Sequence, residues 1–191
     1  MLKTIVGFLS REHGLNVLKT LIEKNQFKII TVFTHKFNPK SQDETKGIRK
    51  DFQKFVDLCK QENIELVTID SKNSEIKCPN CDFIIEVSWR YLISPKITKK
   101  ANILAFGIHR GKLPDYAGAE PIKQAIKKNE KEIILSAHHL EPEIDGGEVI
   151  TTELHNIKYN LKISQKENID NIRNEITPLF SKIVEKVLKK Y

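Results

Sequence analysis

Residues 106–122, "FGIHRGKLPDYAGAEPI", contain one imidazole, that of His109, directly after a strand-like run "NILAF". Asp145 lies further along, in the turn-forming stretch "EPEIDGGEVI" between two later strand-like runs. Ligands of open parallel sheets bind outside the carboxyl ends of the strands, and both residues are expected at such an edge. A carboxylate beside an imidazole fixes its tautomer and raises its basicity. The two residues therefore form a candidate acid–base pair, with an ordinary structural histidine as the alternative.

The residues around this pair restrict the backbone at some positions and free it at others. Pro114 fixes its own φ and disfavours a helical conformation at Leu113. Glycine permits positive φ or the close approach of a ligand. Such positions are Gly107, Gly111, Gly118, Gly146 and Gly147. The pattern predicts two well-defined loops that present His109 and Asp145.

The elements that must carry these loops begin with a β-α-β unit. "KTIVGFLS" and "FKIITVFTH" are apolar runs rich in β-branched residues, which predict buried strands. Between them, "REHGLNVLKTLIEK" places its leucines on one helical face. A right-handed crossover of this kind joins parallel strands.

The rest of the chain continues to alternate strands with helices. A polar loop over 36–47 leads to the helical pattern "IRKDFQKFVDLCKQENI", and a second helical pattern is "EPIKQAIKKN". Further strand-like runs are "ELVTI", "DFIIEVSW", "ANILAF", "EIILSAHHL" and "EVITTELHNI". Such alternation predicts an α/β fold with an open, mostly parallel sheet and helices on both faces.

The chain of 191 residues is long enough for one buried core, so a single domain is expected. We place its catalytic part at residues 1–160 and a helical segment that packs on the core at 161–191. From Ser164 onward, isoleucines recur at helical spacing, and Pro178 is expected to kink or split that helix.

Composition excludes several classes of protein. Hydrophobic residues make up 39% and charged residues 30%, which is typical of a globular protein rather than a disordered one. No apolar run approaches the roughly 18 residues of a membrane span, and the N-terminus indicates a strand rather than a signal peptide, so a cytoplasmic protein is predicted. The net charge of +7 favours an anionic ligand or partner. A nucleic-acid-binding module is one alternative that this charge leaves open.

The cysteines predict neither a disulfide framework nor a metal site. Their number is three, and only Cys78 and Cys81 form a CxxC pair. A zinc site needs a second ligand pair at suitable spacing, and none is evident. We therefore interpret "KCPNCD" as a tight turn that enters a strand, and expect no metal.

Several segments together resemble the folate-dependent formyltransferase superfamily. "GIHRGKLPDYAGAEPIKQAI" is similar to its signature N-x-H-x-S-L-L-P-x-Y-x-G-x-x-P-I, and "SAHHLEPEIDGGEVI" to a second signature with an aspartate followed by x-Gly. "CDFIIEVSWRYLISPKI" resembles the strand and loop that hold the folate, and "IVGFLSREHGLNVLKTLI" the opening strand and helix. The resemblance covers about residues 2–155. It implies a Rossmann-like domain that uses 10-formyltetrahydrofolate, without a metal, to formylate a primary amine.

The resemblance also implies roles for individual residues. His109 would hydrogen-bond the formyl oxygen, and Asp145 would orient or charge His109 and help to relay the proton lost by the amine. Contacts to the pterin are expected from Ser88, Trp89, Arg90, Tyr91, Leu92, Ile93, Leu140, Glu141 and Ile144. Contacts to the acceptor are expected from His13, Lys112 and Tyr116. In the first helix, His13 lies where exposed backbone N–H groups can receive an anion.

Two positions depart from the family signature. Gly107 stands where the family has its catalytic asparagine, and Gly111 where it has a serine. Loss of one oxyanion donor typically costs about 10²–10³ in rate. A degenerate folate-binding domain without turnover is therefore an alternative to an active enzyme.

The acceptor amine is expected on a nucleotide-linked sugar. "YAGAEPI" is nearer to the form found in tRNA and sugar formyltransferases than to that of the purine-pathway enzyme, and "VSWRYLIS" is more similar to sugar formyltransferases. An anionic small-molecule amine also suits the basic chain. Methionyl-tRNA and glycinamide ribonucleotide are alternative acceptors, and a homodimer is left open.

Overall fold

The structure is a computed structural model that describes residues 2–40 and 43–191. Ser41 and Gln42, in the predicted polar loop, lie outside the described residues. The chain divides after Ala105 into two compact units.

The first unit has four parallel strands in the order β3-β2-β1-β4. Helix α1 packs on β1 and β2, helix α2 packs on β3, and a short helix that the sequence did not predict, α3, precedes β5. The elements are β1 (Lys3–Leu9), α1 (Arg11–Lys24), β2 (Phe27–Thr34), α2 (Phe52–Gln61), β3 (Glu65–Thr68), β4 (Cys81–Val87) and α3 (Pro95–Thr98).

The β-α-β unit forms with the bounds that its sequence predicts. Ser10, in an extended conformation, precedes α1, and Asn25 ends it in the left-handed region that favours asparagine or glycine. Because strand residues alternate between faces, Phe8 and Phe33 can stack with ring centroids 4.8 Å apart, both fully buried.

The second unit contains the antiparallel strand order β5-β6-β7, and β5 begins in the first unit. Its register places Gly107 opposite His138 and His109 opposite Ser136. Helix α4 packs on β6, and α6 packs on β6 and β7. The elements are β5 (Ala101–His109), α4 (Pro121–Lys127), β6 (Glu132–His139), β7 (Val149–Asn156), α5 (Gln165–Glu175) and α6 (Thr177–Leu188).

The C-terminal helical pattern splits into α5 and α6 next to Pro178, as predicted. Ser164 and Glu167 form a reciprocal capping box that starts α5, with the Ser164 side chain accepting from the Glu167 N–H. Ile176 separates the two helices, and Pro178 lies in the first turn of α6, where its missing N–H costs no helical hydrogen bond. Apolar residues of α6, Phe180, Ile183 and Val187, are fully buried.

The predicted fold class, an α/β fold with mostly parallel strands, is confirmed. Within residues 2–40 and 43–191, no helix combines the length and the apolar character that crossing a membrane requires.

Candidate active site

The imidazole of His109, at the end of β5, lies between two hydrogen-bond acceptors. Its Nε2 is 2.7 Å from the backbone oxygen of Tyr116, and its Nδ1 is 3.2 Å from Oδ2 of Asp145. A backbone carbonyl and an ionised carboxylate accept hydrogen bonds and do not donate them. Each ring nitrogen of His109 therefore faces a group that can only accept a hydrogen bond. The two contacts fix the orientation of the imidazole from both sides.

Asp145 is held by three groups of the second unit. Its Oδ2 accepts from the Gly118 N–H at 2.8 Å as well as from His109, and its Oδ1 is 3.6 Å from Nε2 of His138. Burial raises the pKa of this carboxyl, but the hydrogen bond and charge of His109, with the Gly118 N–H and His138, outweigh it and leave the pKa below its usual value. Asp145 is therefore an anion that stabilises positive charge on either imidazole.

The loops that hold this pair depend on glycine at specific positions. Gly118 has φ of +85°, which glycine adopts without steric cost and which directs its N–H toward Asp145. At Gly111, a Cβ would lie 2.8 Å from Cβ of Pro121, 2.9 Å from Cβ of Tyr116 and 3.0 Å from Nε2 of His109. A serine at position 111 would push on the imidazole, so this departure from the family signature has a steric reason.

Ser136 is a residue of this site that the sequence did not indicate. It lies opposite His109 in the β5–β6 pair and is fully buried. Its hydroxyl donates to the Gly111 oxygen at 2.9 Å and accepts from the Leu113 N–H at 3.2 Å. This holds the start of the 111–118 loop, where the Leu113–Pro114 bond is cis.

The predicted acceptor contacts in this unit already have partners. The Tyr116 ring is buried and its hydroxyl hydrogen-bonds Glu130, which raises the pKa of that hydroxyl to about 12. Lys112 pairs with Asp115 at 2.8 Å on the surface. Both residues line a cavity of about 570 Å³ whose other charged residues include Arg110, Lys128 and Glu132. The cavity is polar and carries both signs of charge.

The predicted pterin loop of the first unit is built around Trp89. Its ring stacks on His35 with centroids 4.0 Å apart, and its backbone N–H donates to Oε1 of Glu86 at 2.7 Å. Ser88 has φ of +57°, a strained value for a serine. Among the described residues, neither the buried hydroxyl of Ser88 nor the buried indole N–H of Trp89 has a hydrogen-bond partner. These two groups are the unsatisfied donors of this loop.

His35, to which the sequence analysis gave no role, fixes this loop. The Arg90 N–H donates to its Nε2 at 3.2 Å, so the hydrogen lies on Nδ1 and is donated to the Ile69 oxygen. Burial lowers the pKa of His35 to about 4, and the neutral ring is the form that accepts from Arg90. Its partners lie 34 and 55 residues away in sequence, and no local pattern contains that information.

Replacement of His35 by phenylalanine keeps a ring beside Trp89 but leaves the buried donor of Arg90 and the Ile69 oxygen without their partner. We expect a loss of about 2 kcal/mol in unfolding free energy, since each unsatisfied buried polar group costs about 1–3 kcal/mol. Trp89 is the sole tryptophan of the chain, so its fluorescence reports this loop directly. Iodide quenching of Trp89 is expected to rise in His35→Phe and to stay unchanged in His155→Phe. Equal quenching in the two variants would show that His35 does not hold the loop.

The remaining predicted site residues lie in both units. His13 is buried in the first turn of α1, Leu92 is exposed, and Ile93 is buried. Beyond the end of β6, the side chain of Ile144 is 72% exposed, and Glu141 is also exposed, whereas Leu140 is half-buried.

The CxxC motif ends where β4 begins. Cys81 is the first residue of that strand, and burial raises the pKa of the Cys78 thiol to about 11 and that of Cys81 to about 12. Protonated thiols are poor nucleophiles and poor metal ligands. Over the part of the chain that the structure describes, no group of three or more histidine, cysteine or acidic side chains is arranged to hold a metal ion.

Comparison with known sequences identifies the family. The profile of the family described as Formyl transferase matches residues 5–180. The chain belongs to the formyl transferase family. A methionyl-tRNA formyltransferase from Pelagibacter ubique is 30% identical over 194 residues, which cover 98% of this chain and 59% of that protein. The formyl transferase chain thus spans little more than half the length of this curated relative.

Solved structures share the fold of this formyl transferase chain. Glycinamide ribonucleotide transformylase 1 from Symbiobacterium toebii has a TM-score of 0.71 at 12% identity, with 97% of this chain and 85% of that chain covered. The N-formyltransferase from Helicobacter canadensis, in complex with folinic acid and dTDP-3-aminofucose, has a TM-score of 0.66 at 19% identity, with 100% and 65% covered. The predicted formyl transferase family is confirmed.

Proposed function

We propose that this chain transfers the formyl group of 10-formyltetrahydrofolate to a primary amine, with His109 and Asp145 as the catalytic pair. The observation that carries the proposal is the position of His109 between the Tyr116 oxygen and Asp145. A half-buried imidazole that is pre-oriented by a carboxylate is suited to stabilise an oxygen that gains negative charge.

The formyl donor supplies the activated one-carbon group, and the chain's residues supply charge and position. Asp145 keeps its hydrogen bond to Nδ1 of His109 throughout. Before substrate binds, Nε2 of His109 contacts the backbone oxygen of Tyr116. In the reaction, the same nitrogen donates its hydrogen bond to the formyl oxygen. Gly107 offers no side-chain amide for that oxygen, so His109 carries the larger share of the stabilisation.

The loop at the end of β4 fits a flat, hydrogen-bonding ring such as a pterin. The backbone N–H groups of Trp89 and Arg90 already donate to side chains. We therefore assign the backbone contacts to Tyr91, Leu92 and Ile93. The unsatisfied donors at Ser88 and Trp89 support a polar ligand at this loop.

We favour a nucleotide-linked amino sugar as the acceptor. The charge of +7 suits an anionic acceptor, and the similar Helicobacter canadensis enzyme is in complex with dTDP-3-aminofucose. Methionyl-tRNA is the second candidate, because the Pelagibacter ubique relative carries that name. Folate and nucleotide-linked sugars are metabolites of the cytoplasm, where we place the protein.

The test mixes the chain with 10-formyltetrahydrofolate and one of three amines, and follows the release of tetrahydrofolate. The amines are a dTDP-linked amino sugar, methionyl-tRNA and glycinamide ribonucleotide, and a fourth reaction contains no amine. Release that depends on the amino sugar is the expected result. Release without an amine would indicate a hydrolase. Folate binding without any release would support the degenerate domain, and salt-sensitive RNA binding without folate binding would support a nucleic-acid-binding module.

A further inference from the structure

His138 lies beside the catalytic pair on the same face of the second unit's strands. It is opposite Gly107 in the antiparallel β5–β6 register, and directly opposite residues point their side chains to one side. His109 is two residues after Gly107 and shares that face, since side chains alternate along a strand. His138 is 4% exposed. Because Gly107 has no side chain, the imidazole of His138 has no side chain opposite it in this pair.

The two imidazoles beside Asp145 differ in the groups that their ring nitrogens face. Nδ1 of His138 is 2.9 Å from the backbone oxygen of His139, which only accepts, so this nitrogen carries the hydrogen. Nε2 of His138 is 3.6 Å from Oδ1 of Asp145, too far for a hydrogen bond. In the neutral ring, the lone pair of Nε2 therefore accepts no hydrogen bond from the residues that the structure describes. In His109, by contrast, both ring nitrogens face hydrogen-bond acceptors.

The charged groups that face His138 support this assignment. Burial lowers the pKa of His138 below its usual value. The backbone oxygen of His139 and the charge of Asp145 oppose this shift, whereas the imidazoles of His109 and His139 add to it. The two imidazoles thus differ in their surroundings, although both lie beside the same carboxylate. Environments that differ in this way separate an acid from a base.

From this geometry we infer that His138 is a catalytic base, whose Nε2 takes the proton that the acceptor amine loses. The inference rests on the proposed function. Asp145, 3.6 Å away, stabilises the positive charge that His138 gains in this step. His109 acts at the formyl oxygen, so acid and base are separate side chains.

The proton balance of the transfer is complete with these residues. A bond forms between the amine nitrogen and the formyl carbon, and the bond between that carbon and the donor nitrogen breaks. The proton from the amine resides on Nε2 of His138 and is then returned to the donor nitrogen as it leaves with its electron pair. No external oxidant, reductant or metal is required.

The first test uses the wild-type protein without substrate and so does not depend on turnover. Nitrogen-15 NMR of the imidazole rings at neutral pH is expected to show His138 with hydrogen on Nδ1 only. A hydrogen on Nε2 of His138 at that pH would overturn the inference, whatever the activity of the protein.

The second test compares His138→Gln with His139→Gln, which removes the next imidazole along β6 from the opposite face. General base catalysis is worth about 10²–10⁴ in rate, so kcat is expected to fall about 10³-fold in His138→Gln and less than about two-fold in His139→Gln. Folate affinity is expected to stay unchanged in both variants. A kcat of His138→Gln equal to that of wild type would reject the assignment.

The pH profile and chemical rescue separate a base from a structural residue. Because the base must be neutral, kcat of the wild type falls as the pH drops below the pKa of His138, and His138→Gln loses this acidic limb. Added imidazole is expected to restore part of the rate of His138→Ala. If His138→Gln keeps the acidic limb and imidazole does not rescue His138→Ala, His138 has a packing role and is not the base. If the wild type transfers no formyl group, the proposed function fails, and the NMR result alone decides the state of His138.

Discussion

Substitution of His109 by glutamine is expected to lower kcat/KM for formyl transfer about 10³-fold, because the oriented imidazole that stabilises the developing negative charge is lost. The imidazole places one nitrogen at the Tyr116 oxygen and the other at Asp145, on one rigid ring. A glutamine amide has a single nitrogen and cannot reproduce both contacts in this geometry. The measurement is the initial rate of tetrahydrofolate release with the amine that the acceptor panel identifies.

The matched control is His155→Gln, which removes another imidazole that is paired with a carboxylate in the same unit. Nε2 of His155 is 2.8 Å from Oε2 of Glu175, but the two side chains are 24% and 53% exposed. Exposed pairs contribute about 0–1 kcal/mol to stability, so this variant should keep its fold and its rate. A folded His109→Gln with the wild-type rate would contradict the proposed role of His109.

The elements of the first unit could be predicted because their information is local. The strand β1, the helix α1 and the strand β2 each show their own periodicity over fewer than 15 residues, and the structure gives them nearly the predicted bounds. The split between α5 and α6 was also predictable, since Pro178 acts within its own helix. The short helix α3, of four residues, has no such period and was missed.

The arrangement around Asp145 could be predicted only in part. Resemblance to a signature indicated His109 and Asp145, and the structure brings them together. Periodicity did not reveal that β5 and β6 pair antiparallel, and this register is what places His138 and Ser136 on their face. Strand pairing is set by contacts across the sheet, which a single strand's sequence does not contain.

The contact of the Tyr116 hydroxyl could likewise not be predicted from the sequence. Its position in the signature suggested a contact to the acceptor, whereas the structure places it on Glu130, 14 residues later. Lys128 lies over the same ring, with its Nζ 4.8 Å from the centroid. Tyr116 thus anchors the loop whose backbone oxygen holds His109, so its side chain acts on the site through that loop.

Substitution of Gly147 by alanine is expected to be the most damaging change in the turn that carries Asp145. A Cβ at this position would lie 2.0 Å from the backbone oxygen of His139 and 2.8 Å from its carbonyl carbon, so the backbone must move. Overpacking typically costs about 1–3 kcal/mol, and a rigid backbone neighbour favours the upper end. Because misplacement by about 1 Å can cost about 10² in rate, kcat/KM is expected to fall about 10²-fold. Thermal unfolding and tetrahydrofolate release measure the two effects.

The control is Gly146→Ala, one residue earlier in the same turn. There a Cβ would lie 2.9 Å from Cβ and 3.2 Å from Oε2 of the exposed Glu143, so a smaller displacement is needed than against the His139 oxygen at 2.0 Å. We expect Gly146→Ala to keep most of its stability and rate, so that the difference between the two variants isolates the contact with His139. The same carbonyl of His139 accepts from Nδ1 of His138, so its displacement by Gly147→Ala also disturbs the hydrogen that keeps Nε2 free. If Gly147→Ala and Gly146→Ala behave alike, the turn tolerates a side chain at both positions and does not position Asp145 through this close approach.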